Sequence, residues 1–296
     1  MSNNDLALFL ALGATLSFAT ASLVFAEFSK RVSVVWMNCF KASLAFVAFC
    51  ITVPLVTSWH QPSWQSITGF MLSGFIGLNI GDLFILGAFT RLGAARTLIL
   101  FGFQPLLVGL GGAILFDQPL NPARLVAVVF LIGCLFTFSL ERYRAHKHWE
   151  LRGLLFALTG VALDTVGILL TRASFGASPD VTPLEGNLWR CGGAVLGFAL
   201  MSYKWPIRLK DGFLQWPTKT RALLIAAGLG GTFVSLSLYL TAIKIGHLAS
   251  IAGIAITGPI FAATLECIHQ RQAPSRYLII AFLFFLAGFY VLLTTA

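Results

Sequence analysis

Residues 38–49 read NCFKASLAFVAF, and residues 187–198 read NLWRCGGAVLGF. Asparagine aligns with asparagine, an aromatic with an aromatic, Lys41 with Arg190, and Phe49 with Phe198. Farther on, RLGAARTLILFGFQP (91–105) parallels KIGHLASIAGIAITGP (244–259), with one extra residue in the second copy. Pro122 and Arg124 parallel Pro274 and Arg276. The order holds along the chain, so residues 1–145 and 146–296 read as one unit duplicated within a single membrane domain.

The unit is helical and lies in lipid. Of 296 residues, 57% are hydrophobic and only 10% charged, against about 25% charged in soluble domains. With no water in the bilayer core, backbone groups must pair within a helix or a closed barrel. The apolar runs are near 20 residues long, which suits helices and not ~10-residue barrel strands. Ten spans are predicted: 6–26, 33–57, 67–90, 97–116, 125–140, 153–174, 185–203, 222–243, 248–268 and 277–295. The fold class is thus an all-α integral membrane protein with ten transmembrane helices, five per repeat. The start, MSNNDLALFL, reads as the first of these and not as a removable signal peptide.

An odd number of helices per repeat makes the second copy enter the membrane from the opposite side. That produces two inverted five-helix repeats, a plan that secondary transporters use, with the site near the midplane. The formal charge of +9 does not point to nucleic acid. Most of the twenty basic residues fall in loops after spans 1, 3, 5, 7 and 9, where they fix orientation; Arg124, Arg172 and Lys244 lie on the other side. This bias predicts both termini outside. The five cysteines form no CxxC pair and the five histidines are scattered, so no disulfide framework, metal or cofactor is expected.

Ten spans as five plus five, a basic residue early in spans 2 and 7, and an Ala…Gly-Ala…Pro run through spans 3 and 4 carry a resemblance. The chain resembles an EamA-type member of the drug/metabolite transporter superfamily. The resemblance implies a ten-helix inner-membrane carrier of metabolites, amino acids or drugs with a central cavity. Two features depart from it. Family members often carry Gly-Glu after spans 4 and 9, where this chain has FDQPL (116–120) and HQRQA (269–273). Family members also usually begin and end in the cytoplasm, whereas the charges here argue for the reverse.

Inside the spans, a handful of polar residues stand out. A charge at the bilayer centre costs roughly 2.5–3.5 kcal/mol on insertion scales, so it faces a cavity or a partner. Asp82 and Asp164 are candidate substrate or proton sites; the alternative is static bracing against Lys41 or Arg190. Asn79 precedes Asp82 by three positions and is expected on the same helix face. It either orients the carboxylate or ties two helices together. Lys41 and Arg190, equivalent in the repeat, suit an anion contact or a gate pair, or they snorkel to the interface. Gln104-Pro105 and Gly258-Pro259 interrupt spans 4 and 9 at equivalent positions and are candidate hinge or cavity-lining residues, with Gln104 a candidate substrate contact.

No phosphate-binding GxxxxGK[ST] loop is present, so the chain does not drive itself with ATP. HExxH and GxSxG are also absent, leaving an intramembrane enzyme as a remote reading. A secondary transporter is expected, with the lipid bilayer, a small-molecule substrate and possible coupling protons as its partners. Near-balance of buried acids and bases favours export or exchange of small polar metabolites or amino acids. Proton-coupled export of lipophilic cations is the alternative.

Overall fold

The computed structural model describes residues 3–104, 150–245 and 257–294 without a break, and scattered residues within 107–144. Among the described residues every regular element is a helix. The first half gives α1 (Asn3–Phe28), α2 (Val34–Val56), α3 (Trp64–Ser73), α4 (Asp82–Leu92) and α5 (Ala94–Leu100). The second gives α6 (Leu151–Ala177), α7 (Pro183–Lys204), a short α8 (Leu209–Leu214), α9 (Thr218–Gly228), α10 (Ser235–Ile245), α11 (Thr257–Gln270) and α12 (Arg276–Thr294).

Among the described residues, five helical stretches are long and apolar enough to cross a membrane: Leu6–Phe28, Val34–Val56, Trp64–Leu92, Leu151–Ala177 and Thr218–Ile245. Their outward faces are apolar, with Leu55 78% and Phe9 65% exposed. Such a surface fits lipid, not water. Five of the ten predicted spans, 6–26, 33–57, 67–90, 153–174 and 222–243, match these stretches to within about four residues. Parts of spans 4, 5 and 9 fall outside the described residues, as does Pro105.

Among the described residues, two stretches are wider than α-helix. Between α3 and α4 the chain widens into a π-helical segment, Gly74–Gly81, and between α9 and α10 into another, Leu229–Val234. The offset that aligns Arg91 with Lys244 also aligns Asp82 with Ser235, and each of these residues directly follows its π segment. The wider turn displaces carbonyls from their α-helical partners, and a neighbouring amide takes them up. Asn38 donates Nδ2 to the carbonyls of Leu78 (3.1 Å) and Asn79 (2.9 Å). Asn187, its aligned partner, donates Nδ2 to the Leu236 carbonyl at 2.9 Å.

The halves interleave. α1 runs along α10 and α11, while α6 runs along α3, the first π segment and α4; α2 lies on α7. Glycine permits the closest of these approaches. A Cβ on Gly74 would lie 1.7 Å from the Arg190 carbonyl oxygen, and one on Gly193 would lie 2.0 Å from that of Met71. Close backbone contact of this kind is how helices associate where lipid offers no hydrophobic drive.

Helix starts follow sequence signals. Ser33 and Ser63 accept from Trp36 N and Ser66 N. Thr182 and Glu185 form a capping box at the start of α7, with Pro183 in its first turn. Glu185 is 1% exposed and also accepts from the backbone N–H of His60 at 2.7 Å, pinning the loop after α2 to α7. Thr182→Ala is expected to cost about 1 kcal/mol. Glu185→Ala should cost more, because it leaves buried donors of two segments unpaired. Thermal unfolding in detergent, read side by side for both variants, checks the order.

Candidate functional site

A cavity of about 170 Å³ opens where α1, α2, α4, α6, α7, α10 and α11 converge. Space of this size holds on the order of ten waters, which explains how carboxylates persist at this depth. Lys41, Asp82, Gln104, Asp164 and Arg190 all line it, and so do Gly258 and Pro259.

Each charged side chain has its own arrangement. Lys41 Nζ donates to Asp82 Oδ2 and lies 5.7 Å from the centroid of the Phe25 ring. This is a buried, mutually neutralising pair, with side chains 5% and 16% exposed. Gln104 Nε2 donates to Asp164 Oδ2 at 2.7 Å. Arg190 is 2% exposed and donates Nε to Ser73 Oγ at 3.1 Å. Ser73 Oγ in turn donates to the Gly167 carbonyl at 2.6 Å, fixing α3 to α6. Among the described residues no ion pair joins Asp164 or Arg190 to an opposite charge. One acid and one base therefore remain available to a solute.

Asn79 is not on the cavity wall. It is 1% exposed and donates Nδ2 to the Ala194 carbonyl of α7 at 3.1 Å. The expectation that it shares a face with Asp82 assumed α-helical spacing. The π turn between them breaks that register, so Asn79 ties helices while Asp82 faces the cavity. On the described residues Pro259 is the third residue of α11. The turn Phe101–Phe103 tightens to 3₁₀ directly before Gln104-Pro105, as a helix does ahead of a proline that cannot donate.

The wall also carries residues that sequence reasoning did not single out. Thr15 comes from α1, and Thr232, Ser235 and Tyr239 come from the second π segment and α10. Thr15 Oγ1 donates to the Ala11 carbonyl (2.7 Å) and Ser235 Oγ to that of Ala14 (3.0 Å). The repeat offered one signal: Ser235 is the counterpart of Asp82. Phe18, Leu98, Phe101, Ile168 and Leu236 supply apolar surface. Glu266 accepts from the Ala95 N–H at 3.0 Å and sits against Gly93, whose φ of 87° only glycine adopts easily.

Residues 5–140 match the EamA-like transporter family. A solved crystal structure, described only as that of a protein, matches 97% of this chain and 96% of its own length. Its TM-score is 0.67 at 18% identity, so the likeness concerns the fold alone. No curated protein matches significantly.

Proposed function

We propose, from the premise that this chain carries an EamA-like transporter domain of the drug/metabolite transporter superfamily over residues 5–140, that it is a secondary transporter of small zwitterionic metabolites. The family match and the long apolar helices support a multi-pass membrane transporter. The finer reading rests on one observation: Asp164 and Arg190 face the same cavity, and among the described residues neither is ion-paired with an opposite charge. A solute bearing both an ammonium and a carboxylate satisfies both at once. A bare cation would satisfy Asp164 and leave the buried guanidinium uncompensated, which is costly.

The reading includes two inverted five-helix repeats, ten spans in all, in an inner membrane with both termini outside. The paired placement of π segments, asparagines and cavity residues at aligned positions supports the repeats, and the bias of basic residues among the loops supports the orientation. Proton-coupled export or exchange by alternating access follows from the same plan, with Asp164 as the carboxylate that exchanges a proton for the substrate ammonium.

Uptake of labelled α-amino acids into proteoliposomes under an imposed pH gradient tests this. Wild type should accumulate at least one of them, and Arg190→Gln and Asp164→Asn should each lower the rate at least about tenfold, the scale of one lost charged contact. Transport of lipophilic cations, indifferent to Arg190→Gln, would replace this reading with the drug-export one.

A further inference from the structure

Hydroxyl side chains in a membrane helix usually satisfy themselves by donating to the carbonyl four residues back. Thr15, Thr165, Thr171 and Thr241 all do so here, at 2.7–2.8 Å. Thr232 does not. It lies inside the π segment Leu229–Val234, where the four-residue α-helical register is not kept. Its Oγ1 is buried and has no hydrogen-bond partner, the residue is 4% exposed, and it lines the cavity. About two helical turns farther along, Tyr239 lines the same cavity, and no hydrogen bond to its Oη is formed among the described residues. These hydroxyls belong to the wall from the second π segment and α10, while the charged groups come from α2, α4, α6 and α7.

We infer that Thr232 and Tyr239 form a second, uncharged subsite that reads a hydrogen-bonding group on the substrate's side chain. The substrates are then zwitterions bearing a hydroxyl or amide, in preference to aliphatic ones of the same shape. The inference rests on the zwitterion reading and extends it. The physical reason is asymmetric. A buried hydroxyl without a partner is costly in the empty cavity and stays so with an aliphatic solute, whereas a polar solute removes the cost. Sites built to hydrogen-bond a substrate reject analogues lacking that group far better than apolar pockets reject an added hydroxyl.

Isosteric pairs isolate the effect: threonine against valine, and serine against 2-aminobutyrate. Initial rates of labelled uptake into proteoliposomes should favour the hydroxylated member of each pair by about tenfold or more in wild type. Thr232→Val should shrink that ratio several-fold, Thr232→Ser should keep it, and Tyr239→Phe should shrink it in at least one pair. The serine variant also controls for folding. Equal rates within both pairs in wild type, with uptake still lost in Arg190→Gln, would overturn the subsite and leave the zwitterion reading intact. An unchanged ratio in both Thr232→Val and Tyr239→Phe would overturn it equally. If no zwitterion moves at all, both readings fall together.

Discussion

Gly74→Ala is expected to keep most of the protein from reaching its folded state. The added Cβ would lie 1.7 Å from the Arg190 carbonyl oxygen. Because that atom is backbone, no rotamer change relieves the clash; α7 itself must move by more than an ångström. The reciprocal contact, Gly193 on the Met71 carbonyl at 2.0 Å, resists that movement. Overpacking of this severity should cost about 3 kcal/mol or more. Arg190 rides on α7, so any surviving fraction should also transport poorly. Gly176 provides the contrast. Nothing lies within 4 Å of a Cβ placed there, and alanine in a helix is favoured over glycine by about 0.5–1 kcal/mol. The yield of monodisperse protein after detergent extraction, with the thermal midpoint, should separate the two variants clearly. Equal yields would contradict the close approach of α3 and α7.

Lys41→Met should be nearly as damaging, for an electrostatic reason. It leaves the Asp82 carboxylate without its cation where the two side chains are 5% and 16% exposed. Removing one member of a buried pair typically costs about 3–5 kcal/mol. Replacing both with apolar residues of similar volume, as in Lys41→Met with Asp82→Leu, is often neutral or better. The double variant should therefore recover the thermal midpoint while remaining inactive in uptake. This outcome separates two roles: stability tolerates losing the pair together, transport does not. A single Lys41→Met variant as stable as wild type would mean that Asp82 is solvated by the cavity and needs no partner.

The sequence carried five of the span positions well because apolar length is a direct requirement of the bilayer. It also brought out Lys41, Asp82, Gln104, Asp164 and Arg190, since ionisable and amide groups in lipid are rare enough to notice. Their convergence on one cavity depends on how helices of the two halves interleave, which no local pattern encodes. The π segments were not legible: GFIGLNIG and LGGTFV share only glycine richness, common throughout this chain. Missing the first one put Asn79 on the wrong face. Missing the second hid Thr232, an ordinary threonine wherever the four-residue α-helical register is kept. The aligned asparagines Asn38 and Asn187 were visible as a repeat signature, but their task of bonding carbonyls near a widened turn emerges only with the fold. The pinning of His60 to Glu185 joins positions far apart in sequence, so only the capping-box pattern of Thr182 and Glu185 could be read in advance.

The account stands or falls on whether the cavity is the transport site. Ser235 lines it and is 7% exposed, and cysteine is close to it in shape. In a variant whose five native cysteines are replaced, Ser235→Cys should react with a membrane-impermeant maleimide added from either side of the bilayer. A transported zwitterion should slow that reaction from both sides, as expected of one site exposed alternately. Reaction from one side only, whatever solute is present, or reaction that no solute slows, would contradict a carrier working through this cavity.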